Sequence, residues 1–103
     1  MRRGEVRWYR FAATDKRRPV LILTRDSILD YLGEVTVAPV TSRVRKIPSE
    51  VLLSSADGLT RDGAVNLDHV QTVSKGKIGA LVTTLGTERT KEIRAALLFA
   101  LGF

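Results

Sequence analysis

Apolar and polar residues alternate along Glu5–Phe11 (E-V-R-W-Y-R-F), with Val6 and Trp8 on one face and Arg7, Tyr9 and Phe11 on the other, which predicts a strand. A polar stretch from Thr14 to Arg18 turns the chain into Pro19–Thr24 (P-V-L-I-L-T), a continuous apolar run expected of a strand buried on both faces, with proline tolerated at its first position. Asp26 is positioned to cap a short helical turn over Ser27–Tyr31 that Gly33 ends. Further strands are expected at Val35–Val40, Ser49–Leu53, Ala64–Asn66, Val70–Val73 and Leu81–Leu85. Only the tail reads as a full helix. Ile93, Ala96, Leu97, Ala100 and Leu101 recur at i, i+3, i+4, i+7 and i+8, Thr87 is the expected N-cap, Glu88 sits in the first turn, and Gly102 falls past the last turn. The fold class is therefore mainly β with helices. We expect a small curled antiparallel sheet or SH3-like β-barrel, closed by a C-terminal amphipathic helix, in one domain over residues 1–103.

Composition narrows the functional classes. An apolar content of 44% with 27% charged residues is that of a folded domain. The absence of cysteine removes disulfides, thiolate nucleophiles and cysteine-based zinc sites. The N-terminus is too charged for a signal peptide, and the longest apolar run is too short for a membrane span, so a cytoplasmic protein with no membrane association is expected. Net charge is +6, and most of the excess lies in residues 1–18, where Arg2, Arg3, Arg7, Arg10, Lys16, Arg17 and Arg18 face only Glu5 and Asp15. Such clustering favours an anionic polymer as partner.

Catalytic chemistry is constrained by what is missing. With His69 as the single histidine, a pair of histidines cannot act as acid and base within one chain. No carboxylates stand at convincing metal-ligand spacing, since Asp26 and Asp30 lie in a short turn that they cap and solvate, so no metal or other cofactor is expected. Nor is there a glycine-rich phosphate loop. RNA cleavage meets these constraints, because the substrate's own 2′-hydroxyl is the nucleophile. The protein then has to align the backbone, stabilise a doubly charged transition state and move protons. A planar arginine fork with a hydroxyl and a backbone N–H supplies the electrostatic part.

Several motifs in order resemble the MazF/PemK/Kid toxin family over nearly the whole chain. R-G-E-V-R-W at 3–8 is similar to the family's opening, R-P-V-L-I-L-T at 18–24 to its second strand, and V-A-P-V-T-S at 37–42 to its third. N-L-D-H-V-Q-T-V at 66–73 and the closing A-L-L-F-A-L-G-F resemble the later motifs more weakly. The resemblance implies a metal-independent, sequence-specific endoribonuclease toxin cutting single-stranded RNA to 2′,3′-cyclic phosphate or 3′-phosphate and 5′-hydroxyl ends. It also implies a homodimer and a cognate antitoxin that lays an acidic segment over the RNA groove.

By the same resemblance, Arg18 and Thr41 are the principal catalytic residues. Asp68 takes the place of an aspartate that serves some relatives as general base, while others do without it. Lys16, Arg17, Ser42, Arg43, His69 and Gln71 are the candidate RNA contacts. The sequence departs from the family at His69, where glutamine is usual, at Asn66, where a relative carries arginine, and in a short basic loop at 12–17. Trp8 and Tyr9 are candidates for base stacking, although first-strand aromatics more often serve the core. Two alternatives stay open at this level: a CcdB-like gyrase inhibitor without nuclease activity, and a non-catalytic RNA-binding module.

Overall fold

The structure is a computed structural model that describes residues 1–103. Its strands are β1 (Glu5–Tyr9), β2 (Arg18–Ile22), β3 (Glu34–Thr41), β4 (Glu50–Leu53), β5 (Gly63–Asn66), β6 (Gln71–Ser74) and β7 (Leu81–Thr84). Its α-helices are α1 (Asp26–Leu29) and α2 (Thr87–Leu101), and single 3-10 turns cover Ser55–Asp57, Leu67–His69 and Lys75–Lys77. All strand pairings are antiparallel, in the order β4-β5-β3-β2-β1-β7, with β6 also paired to β3. Because β6 pairs Val37 while β2 pairs the same residue, β6 and β2 lie on opposite edges of β3. β5 and β6 thus follow one another along a single edge, with the Leu67–His69 turn at the corner between them. The fold class is the one expected: a curled antiparallel sheet with one long C-terminal helix.

Two apolar clusters lie on the two faces of this sheet. The larger contains Val6, Leu21, Ala38, Val40, Leu53 and Val65 and receives Ile93 and Ala96 from α2. The smaller contains Tyr9, Val20, Ile22, Val35, Val37 and Val73 and is closed at one side by Leu29 of α1. Successive residues of β2 enter alternate clusters, Val20 and Ile22 in one and Leu21 in the other, which explains its continuous apolar run. A register shift between Val6 and Arg7 bends β1 where it pairs with β7.

Three expectations are corrected at the helix ends. Gly86, not Thr87, is the N-cap of α2, and Thr87 is its first helical residue. Arg25 occupies the cap position of α1, while Asp26 begins the helix and accepts the Arg3 backbone N–H at 2.6 Å, so its carboxylate is used by the N-terminal segment. Leu101 belongs to the predicted apolar stripe, yet it is exposed together with Leu98, Phe99 and Phe103. Gly102 ends the helix as anticipated, at φ +80°, with its N–H on the Phe99 carbonyl and that of Phe103 on the Leu98 carbonyl. No helix is long and apolar enough to cross a membrane.

Candidate active site

Arg18 and Thr41, which the sequence separates widely, are brought together by strand register. β2 pairs with β3 through Val20↔Pro39, Leu21↔Ala38 and Ile22↔Val37. Two further residues in that register put Arg18 across from Thr41, and both line one cleft of about 300 Å³ at the end of the sheet.

The Thr41 hydroxyl oxygen accepts the Arg43 backbone N–H at 3.1 Å. That bond occupies a lone pair and leaves the hydroxyl proton free to donate. Arg18 is exposed and forms no ion pair, so its guanidinium is available to a ligand. Ser42 lines the same cleft. Trp8 contributes one wall, with the Arg17 guanidinium 5.3 Å from its ring centroid. The two first-strand aromatics therefore divide: Trp8 borders the cleft, while Tyr9 is buried and meets Phe11 edge-on at 4.9 Å.

The facing wall was not singled out by the sequence. It is formed by Leu59, Thr60, Arg61, Asp62 and Gly63, on the segment leading from the Ser55–Asp57 turn into β5. Four features hold that segment in place. Ser54 and Asp57 form a capping box. Arg89 of α2 grips the Asp57 carboxylate with Nε at 2.9 Å and Nη2 at 3.2 Å. The Thr83 hydroxyl donates to the Asp57 carbonyl at 2.8 Å. Gly58 turns the chain at φ +95°, where a side chain would collide with Thr83. The Arg89 fork holds Asp57 below the ordinary aspartate pKa, assisted by the Ser54 N–H and opposed by burial. In turn, the bonds to Asp57 and Glu92 raise the pKa of Arg89.

Gly63 then brings β5 against β3. A Cβ there would lie 2.9 Å from the Thr41 carbonyl oxygen, so only glycine permits this approach without movement. The one sequence signal for this wall was R-D-G at 61–63, two charges and a glycine opening a strand, and only the fold shows which residues it faces.

The remaining candidates lie elsewhere. Asp68 is in the Leu67–His69 turn outside the cleft, and its carboxylate accepts the Ser49 hydroxyl at 2.6 Å. In the same turn Asn66 Oδ1 accepts the Asp68 N–H at 3.0 Å, so its Nδ2 faces His69 Nδ1 at 3.3 Å as a donor. That bond makes Nδ1 the acceptor and leaves the His69 proton on Nε2. Gln71 opens β6 and is exposed, Lys16 is exposed in the β1–β2 loop, and neither lines the cleft. A separate cavity of about 350 Å³, between Leu21–Leu23 and the first half of α2, holds none of the candidates.

Comparison with known proteins identifies the family and the fold. The family model described as PemK-like, MazF-like toxin of type II toxin-antitoxin system matches residues 2–101. The probable endoribonuclease MazF5 of Mycobacterium tuberculosis is 43% identical over 93 residues, covering 89% of this chain and 80% of that protein. The solved Mycobacterium tuberculosis toxin MazF-mt6 superimposes with a TM-score of 0.88 at 31% identity, over 96% of this chain and 97% of the other. An endoribonuclease solved in complex with its cognate antitoxin, from a mycobacterial species, gives a TM-score of 0.90 at 26% identity over 100% and 96% of the two chains.

Proposed function

The chain belongs to the PemK-like, MazF-like toxins of type II toxin–antitoxin systems, and from that membership and the chemistry of its cleft we propose how it acts. It is an endoribonuclease that cuts single-stranded RNA at defined sequences, in the cytoplasm, without a metal ion. The observation that carries this reading is the pairing of an unengaged Arg18 with the donor-ready hydroxyl of Thr41 across β2 and β3.

Arg18 stabilises the charge that accumulates on the scissile phosphate, and Thr41 donates to one of its oxygens. An arginine is ill suited to act as proton donor, because its pKa lies far above neutral, so its contribution is electrostatic. Ser42 and Arg43 stand beside Thr41 as further phosphate contacts. Trp8 offers a ring on which a neighbouring base stacks once Arg17 shifts from it. Lys16, His69 and Gln71 extend the contacts along the strand, with His69 presenting Nε2–H to a base or backbone acceptor.

Two partners belong to the same reading. A second copy of the chain covers the exposed apolar end of α2, at Leu98, Phe99, Leu101 and Phe103. A cognate antitoxin, acidic and disordered when free, folds over the basic cleft and inhibits it.

The test is to incubate purified protein and an Arg18→Ala variant with a long single-stranded RNA in excess chelator and to map the fragment ends. Discrete cuts by the wild type alone, leaving cyclic or 3′-phosphate and 5′-hydroxyl ends, are expected. Intact RNA at protein excess on several long RNAs would refute the nuclease reading and favour a gyrase inhibitor or a binding module.

A further inference from the structure

Asp68 takes the place of an aspartate that serves only some of the toxins this chain resembles as general base, and here its carboxylate does not line the cleft and accepts the Ser49 hydroxyl. Transesterification still needs a group to take the 2′-hydroxyl proton. Among the residues lining the cleft, the arginines are permanently protonated and the hydroxyls of Thr41, Ser42 and Thr60 are too weakly basic. The lining contains one carboxylate, Asp62. We infer that Asp62 is the general base of the RNA-cleavage reaction, an assignment that rests on the nuclease reading above.

Three observations support it. Asp62 directly precedes Gly63, whose backbone lies against the Thr41 carbonyl, and β5 pairs with β3 through Thr41↔Ala64. The chain at Asp62 is thereby carried to the strand end that bears Thr41, and both residues line the same cleft. Its carboxylate forms no ion pair, whereas Asp57, Glu5 and Glu50 are each committed to an arginine. The segment bearing it is braced by the Arg89 fork, the Thr83 hydroxyl and the Gly58 turn, so a free side chain sits on a fixed stem.

In the step assigned to it, Asp62 accepts the proton of the 2′-hydroxyl as the bond from O2′ to phosphorus forms. The bond from phosphorus to O5′ breaks, and the departing oxygen takes a proton from solvent water. Protonated Asp62 returns its proton to the resulting hydroxide, so the transesterification consumes and releases no net proton.

The experiment compares wild type, Asp62→Asn and Asp68→Asn on a short RNA containing one mapped cut site. Single-turnover cleavage and RNA affinity are measured separately, the latter on the same oligonucleotide with a 2′-deoxy residue at the cut. Asp62→Asn is isosteric and removes a negative charge, so it should bind RNA as tightly as wild type or more tightly. Its cleavage rate should nevertheless fall by about 10²–10⁴, whereas Asp68→Asn should retain most of the rate. A merely repulsive Asp62 would raise affinity without slowing cleavage, which overturns the assignment. Loss of cleavage in Asp68→Asn with Asp62→Asn active overturns it as well. Failure of the wild type to cut any RNA would instead refute the nuclease reading, a result separable from either outcome.

Discussion

Arg89→Ala probes the brace behind the cleft wall, and its effect follows from the contacts it removes. The substitution deletes two guanidinium bonds to Asp57, at 2.9 and 3.2 Å, and one to Glu92 at 2.8 Å. Asp57 is only 11% exposed at its side chain, so it is left with the Ser54 N–H and little water. A hydrogen bond to a charged group contributes about 1.5–3 kcal/mol. Arg89 is itself 31% exposed, which places the fork near the low end, and the Glu92 contact is an exposed i,i+3 pair worth about 0.3 kcal/mol.

The expected loss is about 2 kcal/mol, or roughly 8–16 °C in Tm for a domain of this size. Thermal or urea unfolding at neutral pH measures it. The loss should also depend on pH, with a defined sign. The folded pKa of Asp57 lies below the ordinary 3.8, so its ionised form contributes stability above that value. That contribution disappears as pH falls through the lowered folded pKa, and the gap between wild type and Arg89→Ala should narrow below about pH 4. Equal unfolding midpoints at pH 7, or a gap undiminished in acid, would show that the fork does not hold the segment.

Two other perturbations address the cleft itself. Thr41→Val keeps the shape of the side chain but removes its only polar hydrogen, so kcat should fall by about 10²–10³ with an unchanged circular-dichroism spectrum; wild-type turnover would remove the hydroxyl from the mechanism. Gly63→Ala drives a methyl group to within 2.9 Å of the Thr41 carbonyl and 3.3 Å of Val40 Cγ1. This overpacking should lower unfolding free energy in urea by about 1–3 kcal/mol, and unchanged stability would show that β5 does not need to lie so close.

Local patterns carried much of the fold. The first three strands have a period-two or continuous apolar signature, and β2 announced its burial on both faces because Val20 and Ile22 had to enter one cluster and Leu21 the other. The closing helix was legible from its 3.6-residue stripe. Its ends were not, because Thr87 satisfies the composition rule for a cap while the backbone places Gly86 there. Leu101 fits the stripe, but it and the neighbouring Leu98 and Phe99 stay exposed at the helix end.

The site divides in the same way. Arg18, Thr41 and Ser42, which line one cleft, each lie in a motif that borders a strand, and a resemblance carried over residue by residue reaches such positions. The sequence alone also determined the chemistry that is available: no thiol, one histidine, abundant arginine and an N-terminal concentration of positive charge. The tertiary structure decided which of these groups meet. The β2–β3 register brought Arg18 and Thr41 to one cleft, and a glycine without a Cβ let β5 approach so that Asp62 lines it too. The corner between β5 and β6 carried Asp68 away to Ser49. Local propensity acts over a few neighbouring residues, whereas the distance between two side chains on different strands depends on pairing, twist and packing summed over the whole sheet.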